Sequence, residues 1–230
     1  NRVWHHLFGK GLVASVDNFG HMGRLPTNQP LLDHLAVRFV EEGWSMKKLI
    51  REIVLSRTYQ LSTATGAQAK VDLENELHWR QNRRRLQAES IRDAILSVSG
   101  QLDKTMGGPT IKAGTSIEYG YKFDDTRRSL YTPVFRNTPL EILAVFDFAD
   151  PNLVVGERTS SNVPTQALFL MNNPFVRQQA EAAATRLLQE DLADDSARIA
   201  HAYQRTLGRN PTSTEHDVIL NFVQTEQNPA

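Results

Sequence analysis

The chain has no cysteine. Disulfides, thiolate metal sites, thiol nucleophiles and haem attachment through Cys-x-x-Cys-His are therefore excluded from it. It has no excess of charge either, because Lys plus Arg and Asp plus Glu number 26 each. No global field steers such a chain to nucleic acid or to an anionic membrane. Aromatics make up only 8% of it, and they are not interleaved with the basic residues, as binding to single-stranded nucleic acid requires. No apolar run approaches the ~20 residues of a membrane span, and no secretory signal pattern is present.

Several spacings are missing as well. The histidines are His5, His6, His21, His34, His78, His201 and His216, and no His-Glu-x-x-His pair or zinc-type spacing occurs among them. His5 and His6 are adjacent, so on a helix they point about 100° apart. We expect surface or helix-end imidazoles, with a haem-iron ligand role for His21 as the alternative. No Gly-x-Ser-x-Gly elbow occurs, so Ser160 and Ser161 read as cap or loop hydroxyls. Gly9, Gly11, Gly20 and Gly23 do not follow a strand and form no dinucleotide fingerprint.

What is present describes a helical protein. At 230 residues, 40% hydrophobic and 23% charged, the chain has the make-up of a globular domain able to bury a sizeable core. Helical spacing predicts a segment over 1–8 stopped by Gly9. A second segment carries Leu31, Leu32, Leu35, Ala36, Phe39 and Val40 and stops at Gly43. Ser45 caps a third with Met46, Leu49, Ile50, Ile53 and Val54 on one face. Further helices are expected over 72–81, 83–99, 140–146, 163–172, 174–189 and 195–207. A last one opens with the capping box Thr212-Ser213-Thr214-Glu215. Trp4, Trp44 and Trp79 lie beside apolar neighbours and are expected in the core.

One stretch departs from this period. Ile117, Tyr119, Tyr121 and Phe123 alternate with Glu118, Gly120 and Lys122, which is strand spacing. Asp124-Asp125-Thr126 can turn the chain, and Pro133 suits an edge strand. The expected architecture is therefore mainly α: one helical domain over 1–230 with about eight to ten helices. A β-hairpin insertion is expected within 107–136, its strands near 115–136.

The order of several strings carries a resemblance over nearly the whole chain. They are Asn1-Arg2-Val3-Trp4, Phe8-Gly9-Lys10-Gly11-Leu12, Asp17-Asn18-Phe19-Gly20, Gly43-Trp44-Ser45, Asn82-Arg83-Arg84-Arg85-Leu86, Ile91-Arg92-Asp93-Ala94, Arg127-Arg128-Ser129-Leu130-Tyr131, Phe146-Asp147 and Asp150-Pro151-Asn152. The longest runs from Glu157 through Val163-Pro164-Thr165-Gln166 to Asn172-Asn173-Pro174-Phe175-Val176. Together they resemble the planctomycete-type domain of unknown function 1553. That resemblance implies a fragment of a longer, exported multidomain protein of the periplasm or cell surface. It implies neighbouring domains of the same protein as partners. It also implies a haem or polysaccharide-handling module alongside, and it carries over no catalytic residue.

The residues themselves yield a short list of candidates. Arg84 and Arg85, in a basic run, and Arg158, Thr165 and Gln166, in the longest string, are the candidate surface and binding residues; arginine forks suit planar anions such as sulfated glycans. The competing reading of the basic run, which comprises Arg80, Arg83, Arg84 and Arg85 and is joined by Arg127 and Arg128, is internal pairing with Glu89, Asp93, Asp124 or Asp125. Asp147, Asp150 and Asn152 are weak calcium candidates, because a loop of oxygens at that spacing can supply part of the shell. No other cofactor is expected in the chain. Asn162 reads as an N-cap, and the apolar run Leu168-Phe169-Leu170-Met171 predicts a helix buried on all sides. The function expected is an accessory, glycan- or anion-binding interaction module. The alternative is a hydrolase or redox domain whose site neighbouring domains complete.

Overall fold

The computed structural model describes residues 1–227. Among them lie nine α-helices: α1 (Arg2–Phe8), α2 (Gln29–Glu41), α3 (Met46–Leu55), α4 (Ala88–Ser99), α5 (Glu141–Val145), α6 (Pro164–Asn172), α7 (Pro174–Leu188), α8 (Asp195–Leu207) and α9 (Ser213–Gln227). Short 3-10 turns cover Ala67–Lys70 and Ser129–Tyr131. The chain divides into two compact units. One comprises 1–85 and 155–158, the other 86–154 and the chain from 159 onward.

The first unit is built on α1. Gly9 ends that helix at φ 80°, and the Asn1 carboxamide clasps Val13 in both directions, at 2.8 and 3.1 Å. Trp4, Phe8, Leu12 and Ile53 form the core, with Leu31, Leu32, Leu35 and Leu49 packed around it from α2 and α3. Phe8 stacks on Trp4 at 4.1 Å between ring centroids. Ser45 caps α3 through the Lys48 amide, as its position predicts. Trp44, expected in the core, is instead 67% exposed. It follows Gly43 with φ 59° and rests edge-on against Phe39, because the chain must reverse within two left-handed residues to start α3.

A helix over 72–81 does not form. The Asp72 carboxylate accepts the Glu76 and Leu77 amides at 2.9 and 2.8 Å, which draws the backbone into a tight turn. Asn75 and His78 then sit at φ 55° and 52°. An aspartate side chain that captures nearby amides competes directly with the helical ladder.

In the second unit Ala88, Ile142, Leu143, Phe146 and Phe169 form the core. Helix α4 packs against α5, α7 and the 3-10 turn at 129–131, α6 lies between α5 and α7, and α8 pairs with α9. Helix α4 begins at Ala88, later than its spacing suggests, because 83–87 runs without regular structure.

The expected β-hairpin is absent. Among the described residues the β pairing consists of the isolated bridge between Asp103 and Arg127. Alternation fails at Gly120, where φ is 78° and the Tyr121 amide bonds back to the Glu118 carbonyl at 3.2 Å. Ile117 and Tyr119 remain exposed, while Tyr121 and Phe123 meet Phe135 edge-on at 5.1 and 6.0 Å. The aromatic pattern thus marks a small ring cluster under an irregular loop, not a sheet face.

Helix α6 is the other departure. Its N-cap is Val163 rather than Asn162. Phe169 and Gln166 face inward, whereas Leu168 and Met171 are 55% and 72% exposed. A nine-residue helix between two neighbours has room to bury only one side, so its apolar run does not make it central.

Candidate functional site

Most polar residues of the resemblance strings serve as structural ties. The second unit has two knots. In one, Arg92 is 4% exposed and donates to the carbonyls of Asp125 and Arg127 (2.9 Å to the latter) and to Ser129 Oγ at 3.3 Å. Asp93 accepts both the amide and the hydroxyl of Ser129 at 2.7 Å. Arg127 pairs with Asp125 at 2.8 Å and reaches the carbonyls of Gly107 and Pro109. Arg92 and Arg127 are thus both held by partners within the unit. Desolvation lowers the Arg92 pKa, and Asp93 and Asp125 oppose that shift.

The second knot ties α6 to the loop that precedes it. Asp147 stands at φ 60° and accepts the Ser161 amide and hydroxyl, both at 2.8 Å. Gln166 donates to the Val145 carbonyl at 3.1 Å and to Ser161 Oγ at 3.2 Å, and its Oε1 accepts the Val163 amide at 3.3 Å. Gln166, expected at the surface, is 3% exposed. Thr165 is exposed on the first turn of α6. Asp150 accepts the Asn152 amide and carboxamide at 2.8 and 3.1 Å in an Asx turn. Among the described residues no group of three or more His, Asp or Glu side chains is placed to hold a metal ion.

The first unit gathers charge of one sign. Arg2, His5 and His6 lie on α1, and Arg84 donates from Nη1 to the His6 carbonyl. The Arg84 methylenes lie directly over Gly9, where a Cβ would sit 2.8 Å from Cδ. The His5 and His6 rings are 5.6 Å apart, edge to face. Desolvation holds the His6 pKa below its ordinary value, followed by the positive charges of His5, Arg158, Arg84 and Arg2. Two of the five sequence candidates, Arg84 and Arg158, thus act on one imidazole. Arg85 is exposed nearby in sequence. In the same unit Gly156 runs against Asp17, whose carboxylate leaves no room for a Cβ.

The histidines divide by unit. His21 and His34 are exposed. His78, contrary to the surface expectation, is wedged against Trp4 and Phe8 at 5.3 and 5.1 Å, and burial lowers its pKa. His216 shows what spacing could not reveal: its Nε2 lies 2.7 Å from Ser196 Oγ, across twenty positions and two helices.

The fold and these knots define a mainly helical domain whose most distinctive polar residues hold its own loops in place. Residues 1–223 match the family model described as PSD1, protein of unknown function (DUF1553), and the chain belongs to that family. No curated protein and no solved structure matches it.

Proposed function

We propose that this domain is an accessory interaction module of an exported multidomain protein, and that it presents an anion-binding, glycan-directed surface on its first unit. The observation that supports this reading is the convergence of Arg84, Arg158, Arg2 and His5 on His6 in a chain with no net charge. Local cationic density against a neutral whole favours a local ligand over long-range steering. Arginine forks give planar recognition of sulfate or carboxylate. The packing of neighbouring domains on this chain, a haem or polysaccharide-handling module beside it, and a periplasmic or surface setting belong to the same proposal and follow from the family resemblance.

The test is an NMR titration of His6 with a dextran sulfate oligosaccharide and, separately, with inorganic sulfate. A bound anion offsets the surrounding positive charge, so the His6 pKa rises on binding. Arg84→Gln and Arg158→Gln weaken the oligosaccharide about tenfold each and flatten its salt dependence. Thr165→Ala, on α6, leaves it unchanged. An unmoved His6 titration at saturating oligosaccharide refutes the reading.

A further inference from the structure

Helices α8 and α9 pack together, and their first turns meet. Ser196 is the second residue of α8, and its Oγ lies 2.7 Å from His216 Nε2. His216 Nδ1 lies 3.2 Å from Asp217 Oδ1. The serine is thus on one ring nitrogen and a carboxylate on the other, which is the order of roles in a nucleophilic serine triad, whatever the order along the chain. With the proton on Nδ1 directed at Asp217, Nε2 remains as acceptor for the Ser196 hydroxyl.

Hydrogen bonds brace both helix starts around this array. Thr212 and Glu215 cap α9 reciprocally, with the Thr212 amide on Glu215 Oε2 at 2.8 Å and the Glu215 amide on Thr212 Oγ1 at 3.3 Å. Arg209 holds the same carboxylate with two bonds of 2.8 and 2.7 Å. The His216 amide bonds to the Thr212 carbonyl at 2.9 Å, so the imidazole leaves a fixed turn. At the start of α8 the Asp194 carboxylate takes the Ala197 amide at 2.8 Å, and Asp195 is paired with Arg198 at 2.8 Å. The Asp195 and Ser196 amides are the first two of α8 and have no partner within the helix. They stand at the positive end of a thirteen-residue helix, beside the hydroxyl.

We propose that Ser196, His216 and Asp217 form an activated serine that cleaves short acyl esters. The inference goes beyond the anion-binding reading and does not use the cationic cluster. Ser196 and Asp217 are exposed, so no deep slot surrounds the nucleophile and a small acyl group such as acetyl, carried on a bulky alcohol, is the substrate class that fits. Ser196 Oγ bonds to the acyl carbon as its proton passes to His216 Nε2. Asp217 stabilises the imidazolium, and the Ser196 and Asp195 amides face the developing oxyanion. The ester C–O bond then breaks, and the alcohol leaves with the proton from Nε2. Water, giving a proton back to His216, releases the acid and restores Ser196.

The experiment treats the full chain with a fluorophosphonate and with 4-nitrophenyl acetate, and locates adducts by peptide mass spectrometry. The expected result is a Ser196 adduct, with ester turnover that falls at least about 100-fold in Ser196→Ala and His216→Gln. Asp217→Asn lowers it less, and Ser213→Ala not at all. The native labelling rate rises with pH, as activation of the hydroxyl by a general base requires. If His216→Gln melts below the assay temperature, that native profile decides between the two outcomes. No adduct at Ser196, labelling indifferent to His216→Gln in a folded chain, or a flat native profile overturns the proposal and leaves the 2.7 Å contact as a helix-to-helix tie.

Discussion

Single side chains carry much of this fold. Gln166 engages the Val145 carbonyl, Ser161 and Asp147 while accepting the Val163 amide, so one buried carboxamide fixes the entry to α6 and the loop before it. Nothing in the sequence marks a glutamine as buried, and its helix is otherwise apolar. The same holds for His78, whose ring lies against Trp4 and Phe8. Burial lowers its pKa, and desolvation and nearby cations lower that of His6. For both, the unfolded chain takes up a proton near pH ~6.5 while the folded chain resists it. Their contribution is therefore neutral above that pH and becomes unfavourable as pH falls through it, levelling off below the folded pKa values. Melting temperature measured from pH 7.5 to 5 is expected to decline, and His78→Phe, which keeps a ring against Trp4, is expected to flatten the decline. An unchanged slope in that variant assigns the effect elsewhere. The carboxylate loss comes at lower pH. Glu215 is held near about 2 by Arg209 and the Thr212 amide, so its stabilisation is present above the ordinary 4.5 and fades as pH drops toward 2.

At the scale of elements, helix ends were the most legible feature. Gly9, Gly43 and Ser45, and the Thr212–Glu215 box, act where their chemistry requires. Two glycines separate what that chemistry consists of. Gly43 has φ 72° with open space where a Cβ would go, whereas Gly9 has φ 80° with Arg84 Cδ 2.8 Å away. Gly43→Ala should cost about 1 kcal/mol of left-handed strain alone. Gly9→Ala should cost more, and adding Arg84→Ala should recover part of the difference in urea unfolding. Equal losses at the two sites would mean that the Arg84 side chain moves aside freely. Illegible elements failed for local reasons. Asp72 turns a helix-spaced stretch into a loop, and the Glu118–Tyr121 turn breaks a strand-spaced one. Periodicity reports which faces are apolar, but it does not report side chains that capture the backbone. The candidate site was legible by the same measure. Arg84 and Arg158 were readable as arginines suited to anions, their meeting at His6 was not, and Ser196 with His216 had no motif to announce it.

For the molecule as a whole, zero net charge and large exposed side chains act together. Trp44 and Met46 stand out on the first unit, and Leu168, Met171, Val218 and Phe222 on the second. At pH 7 no net repulsion separates two copies. Contiguous exposed apolar area on a monomer marks a surface meant for a neighbour or prone to association. The outer side of α6 isolates the effect, since Leu168 and Met171 sit one turn apart and face away from Phe169 and Gln166. Replacing both, as Leu168→Lys with Met171→Lys, removes apolar surface without opening the core and adds two like charges to a neutral chain. Folding stability should change by no more than about 0.5 kcal/mol, as for other exposed positions. Light scattering at pH 7 and rising protein concentration should fall against the parent chain. Undiminished scattering with intact stability would show that α6 is not the adhesive side and would move attention to Trp44, where the same measurement on Trp44→Gln applies.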